Sequence, residues 1–164
     1  MKDVIIKEFG ILPLEIKKLN GYENENYLIK TEDTRYIFKT YPAAKNTISL
    51  LNSECDALLY LQNKKAAKTP LPVPFLSGEY VKTIGLENTQ KCCRMLSFLP
   101  GRFLGEIEPN KALMGNLGTF LAGVNQKLIG FDSDAIRARK YEWDLQNLSL
   151  NRKYISTIPE PKQR

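Results

Sequence analysis

Three short runs within the first 41 residues alternate with a period of two: LEIKKL (14–19), NYLIKT (26–31) and RYIFKTY (35–41). That pattern belongs to half-buried strands. The polar stretch NGYENE (20–25) separates the first pair, and Glu32-Asp33-Thr34 the second, so the runs are expected to form an antiparallel meander. The period then changes. Residues 46–65 place apolar side chains at 48, 51, 55, 58 and 59, which predicts a helix ending in lysines. A TPLPVP linker (69–74) is held extended by its prolines. Two further strands are expected at YVKTIGL (80–86) and KCCRMLSF (91–98), joined by residues 87–90.

Residues 3–9 predict a short opening helix closed by Gly10, and Leu99-Pro100-Gly101 breaks the sheet. Residues 109–130 return to a helical period, with apolar positions at 113, 117, 120, 121 and 124 and a stop at Gly130. Residues 131–153 are expected to be partly helical. The tail STIPEPKQR has no apolar stripe and reads as a domain cut short. Strands grouped together with helices segregated from them argue an α+β fold. About five antiparallel strands with one packed helix are expected over residues 1–99, and helices over residues 100–164.

Composition removes several function classes. No histidine is present and the three cysteines (Cys55, Cys92, Cys93) lack zinc-ligand spacing, so neither a metal centre nor a disulfide framework is expected. No run is long enough to cross a bilayer, and MKDVIIKEFG carries charges inside its apolar stretch, unlike a signal peptide; a cytoplasmic location is expected. The net charge of +6 is spread thinly, residues 1–40 balancing at seven basic and seven acidic side chains. Nucleic acid is therefore not an expected partner, and neither is a membrane.

Two charged residues stand where a plain core would not want them. Lys39 shares a strand face with Ile37 and Tyr41. Glu54 falls between Leu51 and Leu58, inside the apolar stripe of its helix. A buried carboxylate requires a partner, and a lysine on the preceding strand is an obvious one. The alternative is a glutamate on the rim of the stripe and a lysine snorkelling from a sheet edge. A hairpin loop, a strand lysine and a helix glutamate in that order are also the sequence of parts used by kinases, where the loop covers nucleotide phosphates and the glutamate fixes the lysine. NGYENE is not glycine-rich, but its main-chain N–H groups can receive phosphate oxygens.

LNGYENENYLIKT, RYIFKTY, SECDALLYL, LPVP and RMLSFLPGR are similar, in that order, to the N-terminal lobe of aminoglycoside phosphotransferase and choline-kinase-like enzymes. GFDSDAIRARKYEWDL resembles the hydroxylysine-kinase-like branch. The resemblance implies a protein-kinase-like N-terminal lobe at 1–99 and the first helices of a C-terminal lobe at 100–164, truncated before the catalytic loop. It implies Lys39 on the phosphates with Glu54 as its helix partner, and Glu23, Asn24, Glu25 and Asn26 in the covering loop. Ser97, Phe98 and Leu99 would form the hinge against the base. ATP, or another nucleoside triphosphate, with magnesium is the implied cofactor of the full-length protein, and a small amino-bearing hydroxyl compound the implied acceptor. The rest of the parent chain is an implied partner, with a fused aminotransferase domain among the possibilities, and self-association of an isolated lobe is a further expectation.

The catalytic aspartate of such kinases is followed five residues later by a metal-binding asparagine. After Asp3, Asp33, Asp56, Asp132, Asp134 and Asp144 that position holds Glu8, Phe38, Leu61, Arg137, Arg139 and Ser149. No catalytic or metal-binding residue is therefore expected within the chain, and these residues alone are expected to be inactive. A non-catalytic nucleotide-binding or regulatory module is the alternative.

Overall fold

The computed structural model describes residues 1–65, 68–141 and 143–159. The end of the STIPEPKQR tail, from residue 160, lies outside the described residues, as does Glu142 of the GFDSDAIRARKYEWDL segment. Contacts divide the chain into two compact units, Met1–Ser133 and Asp134–Arg164.

In the first unit, helix α1 (Lys2–Phe9) ends on Gly10, whose left-handed φ of 68° lets its N–H reach Ile6 O. Strands β1 (Glu15–Leu19), β2 (Glu25–Lys30) and β3 (Arg35–Pro42) form the expected meander. Helix α2 (Thr47–Asn63) follows. The proline linker contributes a two-residue strand, β4 (Pro72–Val73), that was not expected. Its proline gives no N–H to the ladder and is tolerated because β4 lies at the sheet edge. Strands β5 (Lys82–Leu86) and β6 (Thr89–Ser97) turn through Glu87 and Asn88, both at positive φ (49° and 63°), as a tight hairpin requires. The sheet is antiparallel throughout, in the order β1-β2-β3-β6-β4 with β5 also on β6.

The β3–β6 register sets Phe38 opposite Met95 and Lys39 opposite Arg94. Because side chains alternate, each sheet face carries a different chemistry. One face presents Ile29, Phe38, Cys93 and Met95 to Ile5 and Phe9 of α1 and to Phe75. The rings of Phe9 and Phe75 are 4.3 Å apart, and Phe9 meets Phe38 edge-on at 6.0 Å. Burial there pushes the Cys93 thiol up to about 12, so it stays protonated and inert. The opposite face receives α2 through a smaller cluster of Leu51, Cys55, Val81 and Cys92, flanked by Tyr41 and Tyr80.

After β6 a 3-10 turn (Leu104–Glu106) leads to helix α3 (Lys111–Leu128), whose cap is Asn110 accepting from Leu113 N–H at 2.9 Å. Tyr60 on α2 donates its hydroxyl to Ile129 O at 3.0 Å and packs its ring against Phe131. The second unit holds the short helix α4 (Asp134–Arg137) and a 3-10 segment (Leu145–Thr157) that is capped by Asp144. No helix among the described residues is long and apolar enough to cross a membrane.

Phe38 has no exposed surface and touches both α1 and β2. Phe38→Ala is expected to lose about 3–5 kcal/mol of stability, measured as a lowered urea midpoint at unchanged slope.

Candidate functional site

Across the α2 side of the sheet, Asn26, Lys39 and Arg94 stand in one row, each directly opposite the next on β2, β3 and β6. Two cations side by side in such a row repel, and α2 answers with Glu54. The predicted partner of that carboxylate was Lys39; the structure gives it to Arg94 instead. The guanidinium Nη2 donates to Glu54 Oε2 at 2.7 Å and to Tyr41 Oη at 2.9 Å. Arg94 is 7% exposed, so its charge needs the pairing. Burial opposes that charge, but Tyr41 and Glu54 outweigh it and the guanidinium pKa is raised. Burial raises the Tyr41 pKa as well, keeping its hydroxyl intact beside the arginine.

Lys39 is half-buried, and its ammonium has no ion pair or hydrogen bond among the described residues. Burial is the main cause that lowers its pKa, the like charge of Arg94 adds to it, and Glu54 works against both. Among the described residues, the buried side-chain atoms without a hydrogen-bond partner are Asn26 Oδ1 and Arg94 Nε. They flank Lys39 on either side. Buried polar atoms are normally satisfied, so a lone ammonium between an unspent acceptor and an unspent donor marks a place with binding capacity left over.

The loop before β2 is shaped by one glycine. A Cβ on Gly21 would lie 2.0 Å from Asn24 O, so the chain between Asn20 and Asn24 folds too tightly for any side chain there. Asn26 Nδ2 closes the loop on Asn20 O at 3.3 Å. Gly21, Glu23, Asn24 and Glu25 line a cavity of about 320 Å³ together with Lys18 and Lys91.

The predicted site residues therefore fall into three groups. Lys39 and Asn26 stand in the row described above, and Glu54 reaches it through Arg94. Glu23 and Asn24 lie in the loop. Glu25 and Asn26, expected in the loop, instead open β2, and Glu25 turns to the face opposite Lys39 because it pairs with Thr40. There it forms an ion pair with Lys18 at 2.6 Å and accepts from Thr40 Oγ1 at 3.2 Å. The Lys18 hydrogen bond is the chief cause that lowers the Glu25 pKa. The third group, Ser97, Phe98 and Leu99, runs off the end of β6. Ser97 N–H donates to Leu71 O at 2.8 Å and Phe98 N–H to Arg35 O at 3.1 Å. The Arg35 guanidinium lies 4.2 Å over the Phe98 ring. Leu99 N–H has no partner among the described residues.

Sequence reasoning gave no role to Arg94 or Tyr41. The available signal was a single arginine inside the otherwise apolar run CCRML.

Residues 15–157 match the family model described as Phosphotransferase enzyme family (APH). Among curated proteins, a hydroxylysine kinase of Xenopus laevis is 24% identical over 166 residues, covering 93% of this chain and 44% of the relative. One of Mus musculus is 22% identical, covering 95% and 46%. The chain thus spans less than half the length of the curated relatives it matches. Among solved structures, an amicoumacin kinase in complex with AMP-PNP and Ca2+ superposes with a TM-score of 0.66 at 20% identity, over 86% of this chain and 42% of that one. A spectinomycin phosphotransferase in complex with ADP gives 0.63 at 12% identity, over 97% and 46%. A microcompartment-associated aminopropanol kinase gives 0.58 at 20% identity, over 80% and 40%. The sheet with α2 is accordingly a kinase-like N-terminal lobe in fold.

Glu54→Ala would leave the Arg94 guanidinium buried without its carboxylate. A loss of about 3 kcal/mol is expected, the low end for a buried pair because Glu54 is itself partly exposed. A melting-temperature series of wild type, Glu54→Ala and Glu54→Gln checks this, with Glu54→Gln expected to fall between the other two.

Proposed function

The chain belongs to the phosphotransferase enzyme family, and from that premise we propose that it is the nucleotide-holding part of a small-molecule phosphotransferase. Such an enzyme moves the terminal phosphoryl group of ATP, or of another nucleoside triphosphate, to a hydroxyl of a small amino-bearing acceptor. Residues 1–99 serve as the nucleotide lobe and residues 100–164 as the beginning of the helical second lobe. The observation that carries this reading is the row beneath the sheet, where an ammonium without an ion pair stands between two buried polar atoms that lack partners among the described residues.

Lys39 is the phosphate contact, its ammonium without an ion pair among the described residues and attracted to the negative charge of the phosphates. Glu23, Asn24 and the backbone around Gly21 cover those phosphates, with Asn26 closing the loop from below. Glu54 acts from the helix through the charge it shares with the row. At the hinge, Leu99 N–H is the donor left for the base edge, since the N–H groups of Ser97 and Phe98 are already spent, and the Ser97 carbonyl supplies the neighbouring acceptor. Ser97 lies three residues from Arg94 along β6, about 10 Å by strand rise, a spacing that suits a nucleoside lying between base edge and first phosphate.

Phosphoryl transfer is driven by positioning and by charge neutralisation rather than by covalent chemistry of the protein. The residues here supply the positioning. A magnesium ion on the triphosphate would supply further charge neutralisation. No cluster of three ligand-type side chains stands among the described residues to hold that ion, and no Asp-x-x-x-x-Asn segment occurs in the sequence to supply the base. These residues are accordingly expected to bind nucleotide without transferring phosphate on their own.

Calorimetric titration of wild type and Lys39→Ala with MgATP and MgGTP tests the assignment. Wild type is expected to bind, and Lys39→Ala to bind at least about tenfold more weakly, the order of one charge-assisted contact. Equal affinities would remove Lys39 from the phosphates.

A further inference from the structure

The last residues of β6 run beside the proline linker, and the pairing of Pro72 with Leu96 brings Leu71 opposite Ser97. A regular antiparallel pair at that place exchanges two bonds, each residue giving its N–H to the other's carbonyl. Here one is made and one is not. Ser97 N–H donates to Leu71 O at 2.8 Å, as the ladder requires. The return bond goes elsewhere: Leu71 N–H donates to the Ser97 hydroxyl Oγ, also at 2.8 Å. Leu71 stands between Pro70 and Pro72, neither of which has an N–H. It is half-buried, so its own N–H needs an acceptor. Ser97 offers two, and the side chain has taken the place of the carbonyl. Strand β3 does not use that carbonyl either. The bond there runs from Phe98 N–H to Arg35 O, which turns the backbone polar groups of Ser97 away from β3. The Ser97 carbonyl accepts no hydrogen bond among the described residues.

Resting on the nucleotide reading above, we propose that the Ser97 hydroxyl is a positioning group for the nucleotide base: it draws off the Leu71 N–H and so keeps the Ser97 carbonyl open to an amino group on the base edge. Neighbouring contacts hold the strip still. Phe98 N–H is bound to Arg35 O, and the Arg35 guanidinium lies 4.2 Å over the Phe98 ring. With Ser97 fastened to the linker and Phe98 to β3, the open groups are the Ser97 carbonyl and the Leu99 N–H, an acceptor followed by a donor. A base edge that presents an amino group beside a ring nitrogen meets both. An alanine in place of the serine would keep the strand and lose this arrangement, because the Leu71 N–H would then turn to the backbone carbonyl as its nearest acceptor.

Ser97→Ala therefore tests the hydroxyl. A carbonyl oxygen that accepts the ladder bond keeps a second lone pair, so its contact with the base is weakened and not abolished. The variant is expected to bind MgATP about fivefold more weakly than wild type, the order of one neutral hydrogen bond. Its affinity for the magnesium salt of purine riboside triphosphate, which lacks the amino group, is expected to equal that of wild type. Ser97→Thr keeps a hydroxyl on a residue that favours strands and is expected to restore the preference for ATP. Calorimetry with the two nucleotides reads the affinities. In the nucleotide-free protein, NMR scalar coupling across the hydrogen bond from the Leu71 nitrogen to the carbonyl carbon of residue 97 reads the exchange of acceptors directly. It is expected to be absent in wild type and present in Ser97→Ala.

A wild-type preference for ATP over purine riboside triphosphate, reduced in Ser97→Ala and regained in Ser97→Thr, supports the proposal. An equal loss of affinity for both nucleotides in Ser97→Ala overturns it, reducing the serine to a fastening of the linker, and so does an unchanged preference for ATP. Equal binding of the two nucleotides by wild type overturns it while leaving the nucleotide reading intact; this comparison decides alone if Ser97→Ala does not fold. A wild-type coupling between Leu71 and the Ser97 carbonyl overturns it as well, because the acceptor would then be occupied. Failure of the wild type to bind either MgATP or MgGTP removes the nucleotide reading, and the proposal falls with it.

Discussion

Two cations placed side by side on neighbouring strands, with one carboxylate bonded to one of them, form the constraint around which this sheet is organised. Lys39 and Arg94 are locked opposite one another by the β3–β6 register, and no rotamer change moves either to the other face. Repulsion of that kind survives only if something offsets it. Glu54 offsets one charge, at 2.7 Å from the more deeply buried of the two cations. The other charge is left to Lys39, whose pKa is lowered chiefly by burial and further by the like charge of Arg94. Such a site is poised for an anion. The proposed nucleotide phosphates fit that demand in sign.

The row stays in register because the opposite face of the sheet is closed. Phe38 and Met95 alternate with Lys39 and Arg94 along the same two strands and are fully buried against α1 and Phe75. A slip of one residue would put the charges into that aromatic core and the aromatics under α2, so burial on one face fixes the electrostatics on the other. The opening helix thus contributes to the site without touching it. Its ion pair between Glu8 and Lys82, at 2.7 Å, fastens it to β5 at the far end of the same face.

The strands were legible because their apolar and polar positions separate by a period of two, and α2 because its stripe repeats helically. β4 was not, since two residues between prolines carry no period. Within the site, Glu54 was legible as a charge breaking an apolar stripe, and Lys39 as a lysine on an apolar strand face. Their relation to Arg94 was not. Register between β3 and β6 is set by contacts distant in sequence, and CCRML reads simply as buried strand unless its one arginine is asked where its counter-ion lies. Glu25 shows how small a boundary error suffices. Extending the loop into the first two residues of β2 sends a carboxylate to the phosphates when its strand position sends it to Lys18 and Thr40 on the other face.

Helix α2 shows why the Arg94–Glu54 link matters beyond electrostatics. Its cap residue Asn46 makes no side-chain capping bond and its first turn holds no acidic residue. The helix is held instead by tertiary contacts: Leu51 and Cys55 on a small core, Tyr60 reaching Ile129, and Glu54 on Arg94. Of these, Glu54 is the contact that also shares its charge with Lys39. The position of α2 therefore rests in part on the same carboxylate whose charge reaches Lys39, so the electrostatics beneath the sheet and the seating of the helix draw on one side chain.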